Sequence, residues 1–254
     1  MGYAAFLSPG IVVLSALILI YFERRYPYTP GQALFRKGFF NDVALYSIVQ
    51  SYILSQIIAW LIAATDDLTH LSEHGPFRTT PVWAIVLLSL VVHDFYIYWF
   101  HRWQHHNGLL WRIHEAHHSN REVDWVAGSR SHSFEILINQ TIEFLPLALL
   151  GAPPEALVAK ATIDAVWGMY IHSNIDVHTG VLQYVINGPE MHRWHHAREI
   201  TEGGLNFSTK FAVWDWFFGT ASRPSGKPSD YGIDNNDYPE GYLAQHLYVF
   251  KRRP

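Results

Sequence analysis

Histidine is the residue type whose number and spacing set this chain apart. The chain has 254 residues, of which 16 are histidine. Eight of them form one H-x-x-x-H pattern and two H-x-x-H-H patterns, at His101, His105, His114, His117, His118, His192, His195 and His196. Because positions i, i+3 and i+4 share a helix face, each pattern is expected to direct its imidazoles at one point. Neutral imidazole binds iron, copper and zinc, and eight nitrogens exceed what one ion uses, so the patterns predict a two-metal centre with open positions.

The other histidines have a different interpretation. A lone histidine on an apolar helix is usually packed or hydrogen-bonded, which we expect for His70, His74, His93, His106 and His246. His106 adjoins His105 but follows His101 by five residues, about 140° around a helix rather than about 40°, so His105 is assigned to the metal. His132 and His172 lie at the two ends of one apolar hairpin, and their spacing alone leaves their role open.

Composition excludes several other chemistries. The chain has no cysteine, which rules out disulfides, zinc–thiolate sites, iron–sulfur clusters and a cysteine nucleophile. The net charge of −4 gives no basic field for nucleic acid. No H-E-x-x-H pattern of a zinc peptidase occurs, nor do the Glu ligands of soluble di-iron bundles. Nearby carboxylates are instead expected to moderate the charge of the metals: Asp94, Glu115, Asp124, Asp176, Glu190 and Asp215.

Long uncharged runs supply the elements that must position these histidines. Residues 1–22, 43–65 and 79–100 contain one ionised side chain between them, Asp94, and each run reaches the roughly 20 residues that span a bilayer. Residues 133–171 form a predicted hairpin, either two further spans or a shallower pair, with a tip at residues 151–154. The mean hydropathy of +0.02 fits a chain that is part membrane and part polar.

Basic residues predict the orientation of these spans. The loop between the first two runs carries Arg24, Arg25, Arg36 and Lys37. The positive-inside rule places this loop in the cytosol, and with it His101, which follows the third run. The tail is expected on the same side, because it ends in the basic residues Lys251, Arg252 and Arg253.

The predicted fold is therefore an all-α integral membrane bundle with a cytosolic, histidine-rich helical cap that holds two metals. About four transmembrane helices or helical hairpins are expected. One domain is predicted over residues 1–254: residues 1–100 form mainly membrane helices, residues 101–220 carry the histidines, and residues 221–254 form a tail.

Several spaced motifs resemble a known family. They run from Asp94-Phe95 through H-R-W-Q-H at His101 and L-W-R-I-H-E-A-H-H-S at Leu110 to R-S-H at Arg130 and H-S-N at His172. They continue with P-E-M-H-R-W-H-H at Pro189, N-F at Asn206 and W-D-W-F-F-G-T at Trp214. In order and spacing these motifs are similar to the sterol desaturase and fatty acid hydroxylase superfamily of membrane di-iron enzymes, over roughly residues 90–220.

The resemblance implies a non-haem di-iron centre on the cytosolic face and no catalytic residue beyond its ligands. Carried over by position, those ligands are His101, His105, His114, His117, His118, His172, His192, His195 and His196. His132 matches a family histidine that is either a ligand or a neighbour of one, and Asp94 is assigned to the same class. His178 has no clear counterpart in the family, and its role stays open.

The resemblance also implies the reaction and its partners. The enzyme would use O2 and two iron ions to hydroxylate or desaturate a C–H bond of a lipid or sterol drawn from the bilayer, and zinc could replace iron in purified protein. No cytochrome b5-like segment is recognised, so a separate electron donor of cytochrome b5, ferredoxin or reductase type is expected. The membrane would be the endoplasmic reticulum in a eukaryote and the inner membrane in a bacterium. The alternatives are a membrane-embedded metal hydrolase and a metal-binding or transport protein.

Overall fold

The computed structural model describes residues 3–200 and 204–251, with side chains from residue 7 onward. Within these ranges it contains helices and no β-strand. The α-helices are α1 (Tyr3–Arg25), α2 (Ser51–Thr69), α3 (Val82–His106), α4 (Gly108–His118), α5 (Ser133–Leu149), α6 (Pro154–His172), α7 (Pro189–His195), α8 (Val213–Phe218) and α9 (Tyr242–Tyr248). A π-helix, Asn41–Gln50, leads directly into α2. The predicted basic end of the tail, Arg252 and Arg253, lies outside the described residues.

Three helices are long and apolar enough to cross a membrane. They cover Leu7–Arg25, Asn41–Thr69 and Val82–His106, and these bounds extend each predicted run by a few residues at its C-terminal end. Large apolar side chains on all three are exposed, among them Leu14, Ile53 and Leu88. Exposed aliphatic side chains of this density are typical of helices that face lipid. The chain is therefore a membrane protein in which three helices have the length and composition to span a bilayer.

The hairpin of α5 and α6 runs beside these spans. α5 packs against α2, and α6 packs against α1 and α3. At the hairpin tip the carbonyl of Leu150 accepts a hydrogen bond from the backbone N–H of Phe77, in the loop between α2 and α3, at 2.9 Å. At the other end α6 finishes at His172, close to the end of α3. The hairpin therefore extends to the loop between the second and third spans.

The basic loop after α1 lies at the same end of the bundle as the histidines. Gln32 donates a hydrogen bond to the carbonyl of Val123 at 3.2 Å. Arg36 is buried and pairs with Asp42 and Asp124, each at 2.8 Å. Because these two carboxylates neutralise Arg36, the positive charge that orients this loop comes mainly from Arg24, Arg25 and Lys37.

Candidate metal centre

Nine histidines meet where α3, α4, α6 and α7 come together. The five-histidine group comprises His101, His105, His114, His118 and His195. The four-histidine group comprises His117, His172, His192 and His196. Within each group one ring nitrogen per residue lies within 4.8 Å of every other. The two groups touch, because the rings of His118 and His196 stack with centroids 4.5 Å apart.

The adjacent histidines of each H-x-x-H-H pattern separate into different groups. His118 lies in the five-histidine group and His117 in the four-histidine group. In the second pattern His195 lies in the five-histidine group and His196 in the four-histidine group. The expectation that each H-x-x-H-H pattern serves one point was therefore wrong, whereas His101 and His105 of the H-x-x-x-H pattern do lie in one group. Neighbouring residues on a helix point about 100° apart, whereas residues i and i+4 differ by about 40°. Each pattern thus keeps its i, i+4 pair together and contributes its middle histidine to the other group.

Hydrogen bonds from the outer nitrogen fix the orientation of several rings. His101 Nδ1 donates to the carbonyl of Phe207 at 2.8 Å, and His195 Nδ1 donates to that of Leu205 at 2.7 Å. In the four-histidine group, His117 and His172 use the carbonyls of Arg130 at 3.2 Å and Gly168 at 2.7 Å. A neutral imidazole that donates through Nδ1 carries a lone pair on Nε2. These four rings therefore present lone pairs to the interior of the centre.

These lone pairs lie so close together that they would repel one another without a cation between them. The Nε2 atoms of His117 and His172 lie 3.3 Å apart, and both rings donate their only hydrogen elsewhere. Two imidazole nitrogens about 2.1 Å from one ion lie roughly 3.0 Å apart at 90° and roughly 3.4 Å apart at the tetrahedral angle. The buried Nε2 of His101 has no hydrogen-bond partner among the described residues. The donor set therefore fits metal ions that prefer imidazole.

Burial keeps these imidazoles neutral. For His118 and His195, loss of solvent lowers the pKa well below the usual histidine value, and the neighbouring imidazoles lower it further. The pKa is lowered well below that value, with burial as the largest cause, for His114, His117, His192 and His196. Only neutral imidazole can bind a metal, so the fold holds these side chains in the form that binds.

Glu135 is a functional residue that the sequence analysis missed. Its Oε1 accepts hydrogen bonds from His114 Nδ1 at 2.8 Å and from Gln104 Nε2 at 3.0 Å. A carboxylate in this position orients a metal-binding imidazole and raises its basicity. Glu135 is the carboxylate that hydrogen-bonds a histidine of either group within the described ranges. The signal in the sequence was an acid in the first turn of a largely apolar helix.

The carboxylates that the sequence suggested are used elsewhere. Asp94 accepts hydrogen bonds from Thr209, Trp214 and the backbone of residues 210 and 211. Asp215 accepts hydrogen bonds from the backbone N–H groups of Phe207 and Ser208. Because the carbonyl of Phe207 orients His101, Asp215 positions a histidine through one intervening residue. The other four carboxylates have different partners again. Asn235 donates a hydrogen bond to Glu115, Arg36 donates to Asp124 and Thr179 donates to Glu190, while Asp176 lies near His178.

The remaining candidate histidines lie outside both groups. His132 caps α5 by accepting the N–H of Phe134 through Nδ1, and it donates to the carbonyl of His246 through Nε2, so both its nitrogens are in use. His178 is exposed, and its nitrogens lie 3.7 Å from Asp176 and Glu190. His106 bonds to the carbonyl of Arg102, so the structure places His105 and not His106 among the nine.

Comparison with known proteins identifies a family. The model of the fatty acid hydroxylase family matches residues 86–220, a range that contains all nine histidines. Ornithine lipid hydroxylase of Rhizobium tropici is 32% identical over 96% of this chain and 76% of its own length. No solved structure matches the chain.

Two further relatives match over shorter stretches. Human alkylglycerol monooxygenase is 31% identical over 60% of this chain and 33% of its own length. Methylsterol monooxygenase 1 of Rattus norvegicus is 30% identical over 51% of this chain and 44% of its own length. The chain therefore matches about a third to a half of these two proteins, in contrast to the bacterial relative.

Proposed function

The chain belongs to the fatty acid hydroxylase family, and from that premise we propose that it is a membrane-bound di-iron oxygenase that hydroxylates a C–H bond of a lipid. The observation that carries this proposal is the division of nine buried histidines into two adjoining groups at the end of apolar helices. Two iron ions bound there would supply the activation of O2 with electrons from a separate donor. Relatives named as a hydroxylase and as monooxygenases favour hydroxylation over desaturation.

The protein's own contribution is to hold neutral ligands in a fixed, dry arrangement. His101, His105, His114, His118 and His195 would hold one ion, and His117, His172, His192 and His196 would hold the other. Glu135 keeps His114 in the tautomer whose Nε2 faces inward. Gly128 lets the backbone approach His172: a Cβ at this position would lie 2.9 Å from the Cγ of that ring and closer still to its Nδ1.

The location that we propose follows from the apolar helices and the basic loop. The α5–α6 hairpin joins the three spans in the bilayer, because its tip reaches the loop between the second and third spans. The histidine end faces the cytosol, where Arg24, Arg25 and Lys37 lie and where a soluble or membrane-bound electron donor has access. The membrane is the inner membrane in a bacterium and the endoplasmic reticulum in a eukaryote.

An activity test with defined metals separates this function from its rivals. Purified protein is loaded with iron or zinc and supplied with a reductant, O2 and one of three lipids taken from the names of the relatives: an ornithine lipid, an alkylglycerol or a methylsterol. We expect close to two metals per chain, and hydroxylated product only with iron, reductant and O2. His192→Ala should lose both metal and product, whereas His106→Ala should keep both. Turnover with zinc in the absence of O2 would instead support a hydrolase.

A further inference from the structure

Five ionisable side chains meet in the middle of the membrane helices, away from the nine histidines. We call them the midspan cluster: His93, Glu143, Lys160, Asp164 and Lys210. Lys160 Nζ donates to the carboxylates of Glu143 and Asp164 and to His93 Nδ1, which lies at 3.2 Å. Lys210 Nζ lies 2.7 Å from Asp164 Oδ1. The cluster thus holds two cationic and two anionic side chains around one imidazole.

Burial of five ionisable side chains at this depth in the membrane would be energetically costly if they had no function. His93 precedes His101 by eight residues on α3, which is about 12 Å deeper along the helix. It lies 11 residues from the start of α3 and 13 from its end, near the middle of the span. Ionisable groups at this depth are expensive to bury and usually serve a function. A third metal is not that function, because the Lys160 ammonium already occupies the space between His93, Glu143 and Asp164.

A cavity of about 210 Å³ connects the cluster to the histidine groups. One end is lined by histidines of both groups, including His101, His117 and His192. The other end is lined by every member of the midspan cluster except Lys160, which is fully buried and pairs with Glu143. Pockets that enclose a drug-sized molecule measure roughly 300–1,000 Å³, so this cavity accommodates only part of a lipid.

The lining determines which part of a lipid fits. The cavity is also lined by apolar side chains, among them Ile97, Phe100 and Trp167, which can pack against the methylene groups of a lipid. A hydrocarbon chain that reached Glu143, Asp164 and Lys210 would offer them no hydrogen bond. We propose that the midspan cluster binds the zwitterionic headgroup of the substrate lipid and so presents a carbon within about 12 Å of that headgroup to the metals. This inference rests on the proposed function.

Charge balance points to a zwitterion rather than to an ion of one sign. In a low-dielectric site, a headgroup with net charge would leave that charge uncompensated, because the amino groups of Lys160 and Lys210 already pair with the carboxyl groups of Glu143 and Asp164. Glu143 and Asp164 can accept from an ammonium group. Lys210 can donate to an acidic group, and so can His93 Nε2, which is buried and has no hydrogen-bond partner among the described residues. The nearest carboxylate oxygen, on Glu143, lies 3.5 Å from that nitrogen.

A binding experiment without iron or oxygen tests the inference apart from catalysis. Full-length protein in detergent micelles is titrated with an ornithine lipid, whose headgroup carries one ammonium and one carboxylate, and binding is followed by native mass spectrometry. The comparison lipids are its N-acetyl derivative, which is anionic, its methyl ester, which is cationic, and an uncharged alkylglycerol. We expect at least tenfold tighter binding of the zwitterion than of each comparison lipid. Equal binding, or a preference for the alkylglycerol, would overturn the inference even if the oxygenase activity is confirmed.

Charge-changing variants test which residues are responsible. Lys210→Met should weaken binding of the zwitterion at least tenfold and shift the preference to the methyl ester. Asp164→Asn should shift it to the N-acetyl derivative. Lys37→Met is the matched control, because Lys37 forms an exposed ion pair with Glu240 and should leave the preference unchanged. If both cluster variants remain folded and keep the wild-type preference, the cluster is only structural. If neither variant folds, the lipid preference of the unmodified protein alone determines whether the inference stands.

Discussion

Replacing Glu135 by glutamine should weaken one metal site and spare the other. In the structure His114 Nδ1 and Gln104 Nε2 both donate to the same oxygen of Glu135, at 2.8 and 3.0 Å, and the side chains of His114 and Glu135 are almost completely buried. Glutamine keeps an oxygen acceptor in this position but removes the negative charge. The imidazole of His114 should therefore stay in place and become less basic.

The expected loss follows from the usual cost of removing such a partner. Changes to a residue that hydrogen-bonds a metal ligand lower metal affinity roughly 10–100-fold. Glu135→Gln retains the acceptor and should lie near the lower end, about tenfold or about 1.4 kcal/mol. Glu135→Ala leaves His114 Nδ1 and Gln104 Nε2 without their acceptor and should lie near the upper end, about 100-fold. Either loss should be confined to the five-histidine group, because the histidine that hydrogen-bonds Glu135, His114, belongs to that group.

The assay is a metal-buffered titration that resolves two binding steps. Glu190→Gln is the matched control: Glu190 lies on α7 near His192, but its carboxylate accepts a hydrogen bond from Thr179 and not from any of the nine histidines. We expect one weakened step for each Glu135 variant and two unchanged steps for the control. An equal weakening of both steps, or no change in either, would show that Glu135 does not act through His114.

Three further predictions concern the fit of the ligands and their protonation. Gly128→Ala should displace His172 and lower the metal content of the four-histidine group, while Gly108→Ala, where an added Cβ meets nothing within 4 Å, should not; equal metal contents would contradict this. His105→Ala should lose metal and His106→Ala should keep it, as measured by elemental analysis, and the reverse result would mean that the helical register of α3 is wrong. The Tm of metal-free protein should fall as the pH drops below the ordinary histidine pKa of 6.5. Burial lowers the pKa of His118 and His195 in the folded chain, so the unfolded chain binds protons at a higher pH and is stabilised relative to the folded one. Bound metal should move this loss to lower pH, and a Tm that stays constant from about pH 7 to pH 5 would contradict the argument.

The sequence predicted the helices better than it predicted the details of the centre. The apolar runs are long, so the three spans and the hairpin were identified with errors of a few residues at their ends. The i, i+4 spacing of His101 and His105 was sufficient to place both in one group. The spacing of residues along one helix predicts which side chains share a face, because that depends only on the geometry of the helix.

The parts that could not be predicted depend on contacts between distant segments. His117 and His118 are adjacent on α4 and therefore point about 100° apart. Which histidines of the other helices complete each group depends on how those helices pack, and spacing within α4 does not encode this. Asp94 was a reasonable candidate neighbour of a ligand, but it fastens the loop that carries Lys210. His93 was expected to be an ordinary packed side chain, because Glu143, Lys160 and Asp164 come from a hairpin more than 40 residues away in the sequence.

The source of the oxygen atom in the product tests the central claim most directly. Iron-loaded protein is mixed with a reductant and a lipid that it hydroxylates under oxygen-18 gas, and in a parallel sample under ordinary O2 in oxygen-18 water. If the nine histidines hold a di-iron oxygenase centre, mass spectrometry will find one oxygen-18 atom per hydroxylated lipid in the first sample and none in the second, and His192→Ala will give no product in either. Label that comes from water would contradict this account, because the oxygen atom of the product would then not derive from O2.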